Sequence, residues 1–267
     1  MKKSIKYQNK KIFYRITGNG NRVMFVHGFG EDGNVFNNQV EYLKDKFQLI
    51  VPDLPGSGQS ELIEDMSMEG MAEVLHSIIH EENIDRCPVI GHSMGGYITL
   101  ALMDAYPNHV SALGLFHSTT FADTEEKKET RRKGIEQTKQ YGAMSFIKTA
   151  IPNLFSQETK DERPELVDEQ IASLHNFSGE ALVSYYEAMI QRPDRTDLLR
   201  NTAAPVLFIV GKYDRAVSPE DALKQSHIPE KSYIHLLQHS AHMGMLEEPV
   251  ICDVAIENFL LDIPTQF

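Results

Sequence analysis

Basic residues are scarce in this chain. Lys and Arg number 26 against 38 Asp and Glu over 267 residues, a formal net charge of −12. Nucleic-acid surfaces need concentrated Lys and Arg, so this balance argues against nucleic acid as a partner. It mildly disfavours polyanionic substrates too, unless a local basic pocket overrides it. Cysteine is nearly absent. Cys87 and Cys252 stand far apart, with no CxxC or Cys/His spacing for zinc. Two free thiols are expected, with no role assigned to either. No apolar run approaches the ~20 residues that span a bilayer. The stretch from Met1 to Lys10 is basic but leads into no apolar segment, unlike a secretory signal. The expected location is therefore cytoplasmic, with no membrane partner. Repeats and low-complexity tracts are missing as well. What remains is an ordinary globular composition, 41% hydrophobic and 24% charged, of a length that permits one domain or two.

Short apolar runs punctuate the chain. Residues 4–8 and 11–16 read as a hairpin joined around Asn9-Lys10, and Gly18-Asn19-Gly20 marks a further turn. Val23–Val26, Phe47–Val51, Pro88–Ile90, Ala112–Phe116, Val206–Val210 and Tyr233–Leu237 follow, each ending in polar or glycine residues. Continuous apolar runs suit strands buried on both faces of a parallel sheet. Helical patterns lie between them at about 34–45, 68–83, 95–106, 218–226 and 247–261. The alternation predicts an α/β fold with right-handed crossovers. From about 121 to 200 no strand pattern occurs. A charge-dense opening, Thr124 to Lys139, precedes apolar clusters at helical spacing: Phe146, Ile147, Ile151, Leu154 and Phe155, then Leu182, Tyr185, Tyr186, Met189 and Ile190. This segment is expected to be a helical insertion, its charged start a solvated helix face.

Chemistry-bearing groups gather after the C-terminal ends of these strands, the ligand edge of open α/β sheets. Gly91-His92-Ser93-Met94-Gly95-Gly96 matches G-x-S-x-G between a strand and a helix pattern. Such a serine sits on a tight, strained turn that small residues two before and two after it allow to close. The helix that follows aims its amides at the reacting oxygen. Serine needs a base, and His242 follows the last predicted strand. Asp214, after the preceding strand, can orient that histidine. The oxyanion of a tetrahedral intermediate would take the backbone N–H groups of Met94 and Phe29.

Together these residues resemble the α/β-hydrolase family over nearly the whole length. The His27-Gly28-Phe29 loop, the turn Asp53 to Ser60, the Ser93 pentapeptide, Asp214 and His242 fall in that family's order. The resemblance implies a mostly parallel eight-stranded sheet flanked by helices, with a helical cap between strands six and seven. The core would comprise residues 1–120 and 201–267, and the cap 121–200. Ser93 argues against relatives with an aspartate nucleophile, the haloalkane dehalogenases and epoxide hydrolases.

Plainer roles compete at several positions. Ser93 could be only a helix N-cap. Asp123 is the rival acid, because some relatives place it after strand six, and His239 is the minor rival of His242. Asp53 with Gly56 and Gly58 lacks a P-loop lysine and reads as structural. His27 reads as loop-shaping and His92 as packing. His76 and His80 lie four apart but lack a third ligand. His117, Phe146, Phe155, Tyr186 and Met189 are candidate walls of an apolar substrate pocket, against the alternative of plain core.

The expected activity is hydrolysis of small to medium carboxylic esters through an acyl-enzyme on Ser93, without metal or cofactor. A histidine base must be neutral, so activity should rise through roughly pH 6–7. The same triad on a C–C bond, thioester or lactone, in elimination or in perhydrolase chemistry, is the alternative. A near-inactive ligand-binding homologue is another. The expected partner is a small molecule, and the protein a monomer or homodimer.

Overall fold

The computed structural model describes residues 1–263. Eight strands form one sheet: β1 (Lys2–Tyr7), β2 (Lys10–Thr17), β3 (Asn21–Val26), β4 (Phe47–Pro52), β5 (Cys87–His92), β6 (Val110–Phe116), β7 (Val206–Gly211) and β8 (Ser232–Leu237). Their order is β1-β2-β4-β3-β5-β6-β7-β8. β1 pairs antiparallel with β2, and β2 antiparallel with β4; every other pairing is parallel. The β1–β2 turn lies at Gln8 and Asn9, one residue earlier than the sequence predicts. Both adopt positive φ (46° and 65°), the backbone of a tight hairpin turn.

Helices cover both faces. α1 (Asn37–Leu43), α2 (Met68–Glu81) and α3 (Met94–Ala105) precede the insertion. Ser67 caps α2 by accepting from the Gly70 amide. The insertion carries α4 (Glu125–Tyr141), α5 (Ala143–Ala150), α6 (Gln157–Glu162), α7 (Pro164–Ser173), α8 (Gly179–Gln191) and α9 (Thr196–Asn201), and it contains no strand. α10 (Pro219–Gln225), α11 (Gly244–Glu247) and α12 (Pro249–Asp262) complete the α-helices among the described residues. Alternate strand residues feed opposite cores. Met24, Val26, Val206, Phe208 and Val210 pack with α2 and α3; Val23, Phe25, Leu207 and Ile209 pack with α1 and α12. α4 buries only Gly134, Ile135 and Thr138, which explains its polar composition.

The insertion docks on the strand ends through side chains of the α/β core. Phe29 stacks on Tyr186 of α8 with centroids 4.3 Å apart. The Tyr185 hydroxyl donates to the Pro55 carbonyl at 2.7 Å and contacts Ser57 Oγ at 2.8 Å. The Asp53–Ser60 turn is thus an anchor. Asp53 itself accepts from the Gly33 and Gln59 amides, which leaves no phosphate cradle. No described helix is long and apolar enough to cross a membrane.

Candidate active site

Ser93 joins β5 to α3 at φ 51°, ψ −116°, a strained conformation for a residue with a side chain. Its hydroxyl makes no helix-cap bond. The flanking glycines answer to close backbone approach. A Cβ on Gly91 would lie 2.4 Å from the Gly95 carbonyl group, and one on Gly95 2.2 Å from the Val26 oxygen. The sequence spacing is therefore a packing requirement of the turn.

Ser93 Oγ lies 2.9 Å from His242 Nε2, and His242 Nδ1 lies 2.8 Å from Asp214 Oδ2. Asp214 is fully engaged. Its Oδ1 accepts from the Ala216 and Val217 amides at 2.8 and 2.9 Å. Burial alone would raise its pKa, but the neighbouring His242 and His117 rings hold it well below the usual carboxylate range. Asp123 lies elsewhere, paired with Arg131 and Arg192. His239 is exposed and pairs with Glu158.

The backbone amides of Met94 and Phe29 donate no hydrogen bond within the protein among the described residues. Met94 opens α3, so its N–H belongs to the unsatisfied first turn.

Several contributors were not legible in sequence. Glu31 is buried and accepts from the Gly28 amide at 2.7 Å and from His92 Nδ1 at 3.0 Å. It therefore braces the loop of Phe29 against the residue before Ser93. Glu247 is buried too. It accepts from the Ala241 and Met243 amides with one oxygen, and from the Ser156 amide and Thr159 hydroxyl with the other. The His242 amide donates to Leu154 at 2.8 Å. Helical insertion and histidine loop are thus laced together. Only buried acids next to the motifs could have signalled this, and composition does not reveal burial.

A cavity of about 440 Å³ opens over Ser93 and His242, with Phe29, Tyr97, Tyr186 and Met189 in its wall. Of the five candidate pocket residues, Tyr186 and Met189 line this cavity. His117, Phe146 and Phe155 do not line it. Phe146 is buried edge-on to Phe29 at 6.0 Å. Phe155 is buried and borders a separate cleft with Asn153 and Lys212. His117 lies behind the acid: its Nδ1 is 3.2 Å from Asp214 Oδ2, off hydrogen-bond alignment, and its Nε2 accepts from the Gly244 amide at 3.2 Å. That acceptor role requires a neutral ring, and burial pushes its pKa down to about 4.

His117, Asp214 and His242 also bring three atoms able to ligate a metal within 4.8 Å of one another. Zinc needs each ligand atom at about 2.0–2.2 Å. Here Asp214 Oδ2 and His242 Nδ1 already face each other at hydrogen-bond distance, so the cluster suits a shared proton rather than an ion. His76 stacks on Tyr106 at 3.6 Å while His80 is exposed. Cys87 and Cys252 are buried free thiols.

Residues 21–249 match the profile of the alpha/beta hydrolase fold, and the chain belongs to that family. It is accordingly a hydrolase. A thermophilic esterase from Thermogutta terrifontis, solved with malate bound, is similar at 29% identity and a TM-score of 0.92, over 99% of this chain and 100% of that one. The 3-oxoadipate enol-lactonase 1 of Acinetobacter baylyi is 23% identical over 245 residues, 91% of this chain and 90% of the relative. The (E)-2-((N-methylformamido)methylene)succinate hydrolase of the same organism is 24% identical over 259 residues, 96% of each.

Proposed function

We propose that the protein is a serine hydrolase of carboxylic esters that works through an acyl-enzyme on Ser93. The observation that carries this reading is the continuous contact Ser93–His242–Asp214, at 2.9 and 2.8 Å, at the floor of the cavity. His242 Nε2 takes the hydroxyl proton as Ser93 Oγ attacks the carbonyl carbon. Asp214 fixes the ring so that Nδ1 carries the other proton, and stabilises the imidazolium. The Met94 and Phe29 amides receive the oxyanion. His242 then gives the proton to the departing alkoxide. In the second half, water loses a proton to His242, attacks the acyl carbon, and the acid leaves as the proton returns to Ser93 Oγ. The segment 121–200 acts as a cap that roofs the cavity over the 1–120 and 201–267 core.

Lactone hydrolysis is the second reading. A lactone is a cyclic ester and needs the same groups, and one relative is named an enol-lactonase. The substrate is a small molecule in either case, as a cavity of about 440 Å³ requires.

Labelling by a fluorophosphonate tests the reading, with intact mass and peptide mapping on wild type and Ser93→Ala. One adduct on Ser93, absent from the variant, is the expected result, together with a fall in kcat of about 10⁶ on any ester turned over. A well-folded wild type that takes no label, or a variant with near-normal turnover, overturns it.

A further inference from the structure

The wall of the cavity holds more positive charge than the protein supplies acids to match. Asp123 is buried between two arginines. Its Oδ1 lies 2.9 Å from Arg192 Nη1, and its two oxygens face Nε and Nη2 of Arg131. One carboxylate thus serves two guanidinium groups in an interior where unpaired charge is costly. Arg192 spends Nη1 and Nη2 on the Met189 and Phe121 carbonyls, keeps a buried and unpartnered Nε, and lies 3.8 Å over the Tyr97 ring. Arg131 differs. Its Nη1 has no acceptor among the described residues, and its side chain borders the cavity that holds Ser93, against the Tyr186 ring. Asp123 fixes one edge of the fork and leaves the other free.

Two more cations, Lys127 and Arg215, line the same cavity, and neither has a carboxylate within ion-pair distance among the described residues. The acids lining it are Glu31 and Glu126. Glu31 is occupied by His92. Glu126, on the exposed rim, is one negative charge against the surplus of Arg131, Lys127 and Arg215. The chain as a whole carries −12, so this local excess runs against its overall field.

Resting on the ester-hydrolase reading above, we propose that the substrate is an ester or lactone bearing a carboxylate, which Arg131 binds while Lys127 and Arg215 attract it at the rim. A guanidinium pre-oriented on one edge by a buried acid suits a carboxylate, through charge-assisted hydrogen bonds. The substrate supplies the missing countercharge, and its reacting carbonyl is registered against Ser93 by the fixed distance between the two ends.

The test compares methyl hydrogen glutarate with methyl pentanoate, which differ only by a carboxylate in place of a terminal methyl, with acid release followed by titration. The expected kcat/KM ratio is about tenfold or more in favour of the hemiester at low salt, and it narrows as salt is added. Arg131→Gln collapses the ratio. Lys127→Met with Arg215→Met narrows it, and serves as the deciding variant if thermal melting shows Arg131→Gln unfolded. Glutarate also slows fluorophosphonate labelling of Ser93, and pentanamide at equal concentration does not. A hemiester no faster than the neutral ester, with no protection by glutarate, overturns the proposal while labelling of Ser93 leaves the hydrolase reading intact. A ratio that survives both sets of substitutions also overturns it. Absent labelling removes both.

Discussion

His92 Nε2 lies 2.9 Å from the backbone carbonyl oxygen of His242. The other ring nitrogen of His92 faces the Glu31 carboxylate at 3.0 Å. Both partners are acceptors, so the ring satisfies both only as an imidazolium. Burial alone would push His92 down, but the Glu31 charge and hydrogen bond more than offset it and hold it above the ordinary histidine value. His92 therefore fixes the main chain of the base from behind, through a buried ion pair. His92→Gln is expected to lower kcat by about 10- to 100-fold through misplacement of His242, with KM within about twofold. The wild type should also lose activity at alkaline pH, as the raised His92 value is crossed and a donor is lost. That alkaline limb should vanish in the variant. Unchanged kcat with the limb retained would remove His92 from this role.

His117 makes stability depend on acid in a defined window. Its pKa is about 4 in the folded protein against an ordinary 6.5. The unfolded chain binds the extra proton in between, so stability is full above 6.5 and falls as pH drops toward 4, by at most about 3 kcal/mol. Glu31, Asp123 and Asp214 are all depressed, and their contributions disappear only below the ordinary carboxylate range. His92 is raised, so its contribution is complete below 6.5 and fades only at higher pH. Burial holds His76 and His235 down as well, so they share the window below 6.5 with His117, whose shift is the one that reaches down to about 4. Urea midpoints between pH 7 and pH 4.5 should slope downward in wild type and less steeply in His117→Asn, a residue that tolerates the φ of 49° at this position.

Asp214 and Asp123 were the two candidate acids, and they should separate in kind. Asp214→Asn leaves the ring of His242 in the wrong tautomer, and kcat should drop by about 10⁴. Asp123→Asn strips the carboxylate from between the buried Arg192 and the half-buried Arg131, leaving two like charges together. Its expected mark is a loss of stability of about 3–5 kcal/mol, read as a lowered thermal midpoint. A kcat loss for Asp123→Asn as deep as that of Asp214→Asn would overturn the assignment.

Much of this architecture was legible because its signals are local. β3 to β7 are runs buried over most of their length, Val206–Gly211 throughout, and parallel sheets demand continuous apolar runs; the edge strand β8 instead exposes Ile234 and Leu236. The order Ser93, Asp214, His242 was readable because each sits directly after a strand. The pocket was not readable. Phe146, Tyr186 and Met189 lie on helices and Phe155 just after a 3-10 turn, and which of them turns toward Ser93 depends on how the insertion lies over the sheet. The buried acids were hidden for the same reason. Glu31 is 61 residues from His92, and Glu247 is 91 from Ser156, and no local pattern marks a carboxylate as satisfied by distant amides.

Phe29 is assigned a backbone role, which any side chain could fill. Yet its ring stacks on Tyr186 at 4.3 Å, with planes 18° apart, and meets Phe146 edge-on. The loop that presents the Phe29 amide is therefore held by α5 and α8. Phe29→Ala keeps the N–H but releases the loop, and kcat should fall by about tenfold, short of the 10²–10³ for a donor removed outright. Tyr186→Ala removes the other half of the stack and should cost a similar factor, while Tyr186→Phe keeps the ring and should stay near wild type. If the two rings act as one unit, the Phe29→Ala/Tyr186→Ala double variant loses little more than either single one. Losses that multiply instead would mean that Tyr186 acts on the substrate alone and that the loop keeps its own shape.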